Sequence, residues 1–332
     1  ASKSPATNII ITVRKGRLTQ MARGTQAWFN GKIVPVESAK VSLFTHGLHY
    51  GTGAFEGIRA YRQKKGGGAV FRLREHIQRF DESWRILGFQ LPFGTDDLVQ
   101  ACLATCRTNG FDECYIRPIS FIADGPLGVY PGENPPIDVA ILVWEWGSYL
   151  GDKGKNEGAR LKISSYLRPH VNSVMTKGKI SGQYVTGVVA KKEAIAHGYD
   201  EALMLDPEGF LTEGTGENLF LVKDGKVKTT SQTSILNGIT RQSVIQYLTD
   251  QGISVTETRF TRDELICADE VFLTGTAAEI TPVAEIDRRK IGRGAAAGKP
   301  GPISQKLQAD YAAIVRGEVP KYASWLSTIT GE

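Results

Sequence analysis

Residues 176–187 read TKGKISGQYVTG. Two lysines, Lys177 and Lys179, stand among glycine, serine and threonine ahead of a predicted helix that runs from about Ser181 to His197. Gly198 supplies the residue that most readily takes the left-handed conformation past a helix end. An amine in so small-sided a setting can approach a bound carbonyl compound closely. Most lysines are solvated surface residues, and local composition does not rank these two.

Three downstream segments share this glycine-rich character. In LTEGTGENLFLV (211–222), Glu213 precedes glycines, and Glu217 and Asn218 lead into an apolar strand. A carboxylate there either closes a turn or holds a cation such as a protonated ring nitrogen. In ILNGITRQSV (235–244), Gly238, Ile239 and Thr240 open a helix. Its free backbone N–H groups suit an anion, although Thr240 could equally be an ordinary N-cap. In FLTGTAAEITPV (272–283), a strand ends in glycine, Thr276 and Ala277, again offering N–H groups. An amine, a carboxylate and two anion-binding turns together suit a phosphorylated aldehyde.

The elements around these segments are legible from period and turn chemistry. AWFNGKIVPV (27–36) is a hairpin around Asn-Gly, and NLFLVKDGKVKTT (218–230) one around Asp-Gly. GIRAY and GAVFRL form another strand pair. Ile77, Phe80, Trp84 and Leu87 recur at helical spacing. A second helix runs from a Thr95 cap to Gly110. CYIRPISFIA, DVAILVWEW, RLKISSYLR, EALMLD, FLTEG and EVFLTG are predicted strands, and TRQSVIQYLTDQG is a predicted helix. Hairpins and helices segregate in sequence, so the expected class is α+β with two domains: 21–142, a glycine-rich interdomain loop at 143–158, and a larger unit at 159–332. Residues 1–20 precede Met21, and six basic residues come before the first acidic one, Glu37. That stretch is read as an upstream extension or transit-like remnant outside the fold.

Composition narrows the class. Of 332 residues, 41% are hydrophobic and 23% charged, with a net charge of +5, which suits a globular enzyme. Without a basic helix interleaved with aromatics, nucleic acid is not an expected partner, and without a long apolar run neither is a membrane. Cys102, Cys106, Cys114 and Cys267 form no CxxC pair or zinc spacing. They are read as reduced thiols of a cytoplasmic protein. His46 and His49 lack companions for a metal site, so none is expected.

WFNGKIV, HGLHYGTGAFEGIRAY, FRLREHIQRF, YIRPISF, GKISGQYV, EGTGENLF, NGITR and GTAAEITPV follow one another between Trp28 and Val283. In that order they closely resemble the fold-type-IV pyridoxal 5′-phosphate (PLP) enzymes, and among them the branched-chain amino-acid aminotransferases. In the family pattern the reactive lysine lies five residues before a tyrosine and about 34 before the glutamate of EGxGEN. Lys179, Tyr184 and Glu213 fit both spacings and Lys177 fits neither. The resemblance implies that Lys179 is the catalytic attachment point, Glu213 the partner of the pyridine nitrogen and Tyr184 the partner of the ring 3′-oxygen. Arg79, Ile239, Thr240 and Thr276 would hold the phosphate, and Asn218 joins the cofactor-binding set. Helix geometry alone sets Arg79 about 200° from Ile77, off the apolar stripe, where an arginine is ordinarily at the surface.

For substrates the resemblance implies that Tyr115, Tyr50, Thr276 and Ala277 take the α-carboxylate. Arg117 would reach the distal carboxylate of glutamate. Phe55, Tyr50, Trp146, Leu127 and Val129 would form the apolar pocket for leucine, isoleucine or valine, with 2-oxoglutarate as acceptor in a ping-pong reaction. The family is at least dimeric, so a homodimer or homohexamer is expected, with the GPLGV loop completing the pocket across the interface. D-amino-acid or R-selective amine aminotransferases, aminodeoxychorismate lyase, and a non-catalytic binding protein on the same scaffold are the competing readings. The intact YIRP and GTAAEITP segments favour the branched-chain group. Ile180-Ser181 before Gly182, and Tyr130 and Glu133 in the GPLGVYPGENPP loop, depart from the pattern and bear on substrate range.

Overall fold

The computed structural model describes residues 22–147 and 150–330. The extension at 1–20 lies outside the described residues.

The first sheet begins with the Asn-Gly hairpin, β1 (Gln26–Phe29) and β2 (Lys32–Pro35), in antiparallel register Phe29↔Lys32. Asn30 and Gly31 have φ of 46° and 91°, the left-handed pair that a two-residue turn needs. A short helix α1 (His46–Tyr50) follows, then β3 (Gly53–Phe55), β4 (Ile58–Arg62) and β5 (Gly68–Phe71). Helices α2 (Leu73–Leu87) and α3 (Thr95–Thr108) lead into β6 (Cys114–Ile122) and β7 (Ile137–Trp144). Gly94 caps α3, its N–H bonded to the Asp97 carboxylate at 3.1 Å, so the expected Thr95 cap is instead the first helical residue.

Ile77, Phe80 and Trp84 of α2 pack with Leu98, Cys102 and Cys106 of α3 over the sheet. Each such burial contributes about 1.5–3 kcal/mol. Beside this stripe α2 buries a polar one: His76, Arg79 and Ser83. Arg79 is 8% exposed, which corrects the surface placement that periodicity favoured. Its reason is tertiary: Glu56 receives Arg79 Nε at 2.7 Å and Nη2 at 2.9 Å, and His76 Nδ1 at 2.7 Å.

The segment read as a loop contains a short helix, α4 (Gly151–Glu157). Beyond it come β8 (Ala159–Ile163), α5 (Tyr184–Ala196), β9 (Glu201–Leu205), β10 (Leu211–Gly214), β11 (Asn218–Lys223) and β12 (Lys226–Thr230). The chain continues through α6 (Ile239–Asp250), β13 (Val255–Thr258), α7 (Arg262–Ile266), β14 (Glu270–Gly275), β15 (Glu279–Ile286), β16 (Arg289–Lys290) and α8 (Pro302–Val315). The strand predicted over 160–168 stops at Ile163.

The second sheet runs β10-β9-β8-β15-β14-β11-β12-β13, and β10 also pairs with β11. That extra pairing closes six strands on themselves, and its single register pair is Glu213↔Asn218. The last described strand, β17 (Leu326–Thr328), leaves this unit and pairs antiparallel with β5, forming an edge of the first sheet. No helix among the described residues is long and apolar enough to cross a membrane.

Candidate active site

One cleft, of about 730 Å³ counting its open mouth, gathers residues from both halves of the chain: Arg79 of α2 and Tyr115 of β6 from the first, and Lys179, Tyr184, Glu213 and Thr276 from the second. A volume of that size suits a cofactor or small substrate.

Lys179 is held by its backbone on both sides. Its N–H donates to Ser83 Oγ at 2.9 Å, its carbonyl accepts from Phe55 N–H at 3.1 Å, and the neighbouring Ile180 bridges Ala54. The side chain donates from Nζ to Tyr184 Oη at 2.6 Å, and the Phe55 ring lies 4.7 Å from Nζ and 4.8 Å from the Tyr184 ring. Lys177 is exposed, and its Nζ reaches the Ile235 carbonyl at 3.5 Å. The two lysines therefore face different surroundings, and only Lys179 lines the cleft.

Glu213 sits where the second sheet closes on itself. Its carboxylate faces Arg168 Nη2 at 2.7 Å and accepts from Asn218 Nδ2 at 3.0 Å and Leu236 N–H at 3.2 Å. Burial raises its pKa, opposed by Arg168, by the Leu236 amide and by Lys179. Arg168 was not foreseen in the sequence: it is one arginine just past a strand, with no periodicity or motif of its own to mark it.

The other end of the cleft is built for an anion. Gly238 is the N-cap of α6, so Ile239 and Thr240 are the first helical residues and Thr240 is not the cap. Their N–H groups have no partner within the helix. A Cβ on Gly238 would stand 2.1 Å from Asn218 Oδ1, so only glycine allows the helix to start this close to the Glu213–Asn218 pair. Arg79, locked by Glu56, adds its guanidinium, and Nη1 donates to the Asn237 carbonyl at 3.0 Å. Thr274, Thr276 and Ala277 border the same cleft, and the buried Thr274 Oγ1 has no hydrogen-bond partner among the described residues.

An amine, a buried carboxylate at one end and cationic or N–H donors at the other form the donor set that a phosphorylated pyridine aldehyde requires. The unpartnered Thr274 hydroxyl adds a polar atom with unmet hydrogen bonds. The residues present therefore fit PLP.

The expected substrate residues divide. Tyr115, Thr276 and Ala277 line the cleft. Phe55 borders it through Lys179 and Tyr184. Trp146 stands behind Tyr115, ring centroids 4.4 Å apart. Arg117 is packed among Phe55, Tyr115 and Trp144, at 4.7, 5.4 and 5.6 Å, and does not line the cleft. Tyr50, Leu127 and Val129 are not brought to it within this chain. Tyr50 Oη donates to the Leu127 carbonyl at 2.7 Å, and Val129 is 81% exposed.

Comparison with known proteins places the chain in a family. Residues 53–286 match the family described as amino-transferase class IV. The branched-chain-amino-acid aminotransferase of Pseudomonas aeruginosa is 42% identical over 302 residues, covering 91% of this chain and 96% of the relative. The crystal structure of the branched-chain amino acid aminotransferase of Escherichia coli superposes with a TM-score of 0.89 at 40% identity, over 92% of this chain and 100% of that one. A crystal structure of the T.th. branched-chain amino acid aminotransferase complexed with N-(5′-phosphopyridoxyl)-L-glutamate matches with a TM-score of 0.87 at 45% identity, covering 93% of this chain and 100% of that one.

Proposed function

The chain belongs to the class IV aminotransferase family, and from that premise we propose how its residues divide the work of moving an amino group. The reaction is PLP-dependent transamination of leucine, isoleucine and valine with 2-oxoglutarate. It yields branched 2-oxo acids and L-glutamate in two half-reactions of a ping-pong cycle. The observation that carries this reading is the 2.6 Å contact of Lys179 Nζ with Tyr184 Oη in a cleft bounded by Glu213 and by the N-terminus of α6.

PLP, when bound, supplies a carbonyl that captures the substrate amine and a ring that takes up the electrons left when Cα–H breaks. Lys179 would anchor it and, once displaced by the substrate amine, would carry the proton from the substrate Cα to the carbon that bore the cofactor's carbonyl. Tyr184, hydrogen-bonded to that amine, fixes its direction. Glu213 must be ionised to pair with a protonated ring nitrogen. Arg168 at 2.7 Å and the Leu236 amide favour that form against the cost of burial. Asn218 orients the carboxylate. Arg79, with the N–H groups of Ile239 and Thr240 and with Thr276, holds the phosphate.

On the substrate side, Tyr115 and the N–H groups of Thr276 and Ala277 bind the α-carboxylate, and Phe55 and Trp146 wall the aliphatic chain. Arg117 turns out of its aromatic stack to meet the distal carboxylate of 2-oxoglutarate, because an unpaired buried carboxylate is costly. Tyr50, Leu127 and Val129 act on the cleft of a second copy, in a homodimer or homohexamer. The exposed Leu43, Phe44, Leu48, Val129 and Tyr130 support that assembly. The working compartment is the cytoplasm, where all four cysteines stay thiols.

The test is a panel of L-leucine, L-isoleucine, L-valine, D-alanine and an R-amine as donors, with 2-oxoglutarate and pyruvate as acceptors. Each half-reaction is read from the visible absorbance of the holoenzyme. Branched L-amino acids and 2-oxoglutarate are the expected pair; a preference for D-alanine over L-leucine would overturn the assignment.

A further inference from the structure

We propose that Glu279 is a positioning residue that sets the width of the substrate side of the cleft, and that Lys155 is its releasable latch. The inference rests on the transaminase reading above and concerns residues outside the site so far described.

Glu279 is the first residue of β15 and pairs with Gly275 across the turn that presents Thr276 and Ala277. Its φ is +52°, a conformation uncommon for a residue with a side chain. From that position its carboxylate meets two cations from distant parts of the chain. Lys155 Nζ of α4 lies at 2.7 Å, and Arg59 Nη1 of β4 lies at 3.6 Å. Arg59 in turn donates from Nη2 to the Trp146 carbonyl at 3.1 Å, and the Trp146 ring packs on Tyr115.

One carboxylate thus connects the carboxylate-binding turn of the second unit to the aromatic wall of the first and to the interdomain helix. Gln308 of α8 reinforces the tie. Its Nε2 donates to the Lys155 carbonyl at 3.1 Å and to the Ile280 carbonyl at 3.0 Å. Tyr115 and the turn at 275–277 are the two sides between which a substrate must fit, so the Glu279 contacts govern their spacing.

The two arms differ in exposure. The Arg59 side chain is 11% exposed and that of Lys155 36%. Burial raises the Glu279 pKa, but Arg59 and Lys155 outweigh it and hold the group below the ordinary carboxylate value. It stays charged across the neutral range. Salt screens exposed charges far more than buried ones, so the Lys155 arm loosens with ionic strength while the Arg59 arm holds.

The experiment uses the holoenzyme with L-leucine as the varied substrate, at low and high sodium chloride. Lys155→Met is expected to raise KM about fivefold, the upper range for a partly exposed pair, with kcat within about twofold and the cofactor absorbance unchanged. Glu279→Gln, which loses both arms, is expected to raise KM more, and Lys155→Arg to restore the native value. Salt should raise the wild-type KM towards that of Lys155→Met and leave the variant flat. A KM unmoved by both Lys155→Met and Glu279→Gln, or a fall in kcat with loss of cofactor in both, would overturn the latch while leaving the transaminase reading intact. Absence of leucine turnover in the wild-type holoenzyme would refute the function itself, and the latch with it.

Discussion

Replacing Arg168 by Met removes the cation that faces Glu213 at 2.7 Å, in a pair whose side chains are 12% and 8% exposed. The Asn218 amide and the Leu236 N–H remain. With charge centres about 4 Å apart and an effective dielectric constant of about 20, the lost attraction is about 4 kcal/mol. Burial already raises this group's pKa, and Arg168 is the foremost influence opposing it. In the variant the pKa therefore rises further, and the protonated share of Glu213 grows at any given pH. A neutral Glu213 does not pair with a protonated ring nitrogen, so the leucine half-reaction slows about tenfold or more at pH 7. The rate recovers as pH rises through the new pKa. Stability moves the other way. A folded-state pKa above the unfolded value means that the folded protein holds an extra proton between the two, so stability falls as pH rises through that window. Stopped-flow rates from neutral to mildly alkaline pH, and thermal melts from mildly acidic pH upwards, measure both trends. A variant with the wild-type rate and a flat pH profile would refute the argument that Arg168 keeps Glu213 charged.

Lys179→Ala should abolish transamination and leave the circular dichroism spectrum and melting temperature close to native; full turnover would sink the assignment of the amine. Arg117→Ala should slow the 2-oxoglutarate half-reaction more than the leucine half-reaction, and equal losses in both would count against a swinging arginine. Trp84→Ala empties a fully buried core position that also hydrogen-bonds Ser120 Oγ; denaturant unfolding should show a loss of about 3–5 kcal/mol, and a loss below about 1 kcal/mol would contradict its place in the core.

The parts of this structure that were legible in the sequence are those decided by neighbours along the chain. The Asn30-Gly31 and Asp224-Gly225 turns and the Ile77–Phe80–Trp84 stripe all form where local chemistry puts them. The illegible parts depend on partners far along the chain. Arg79 is buried because Glu56 waits for it 23 residues upstream. Helix α4 forms in a glycine-rich stretch that reads as a loop, held by Lys155 against Glu279 and by Gln308. Arg168 takes its meaning only from Glu213. In the cleft, resemblance to a family separated Lys179 from Lys177 where composition did not. The fold supplies the reason in physical terms: Ser83 and Phe55 pin the Lys179 backbone, whereas Lys177 turns away towards Ile235.

The pairing of β17 with β5 bears on how the protein is made. During synthesis the first sheet emerges early, but its outer seam, Gly68–Phe71, is closed only by Leu326–Thr328. Until those residues leave the ribosome, a strand whose side chains are all buried in the finished protein presents open backbone groups to any passing strand, the situation that invites wrong pairing. The first sheet therefore reaches its native form only once Leu326–Thr328 are free to pair with β5, and a nascent chain stalled just short of Leu326 keeps that seam open to aggregation and to chaperone capture.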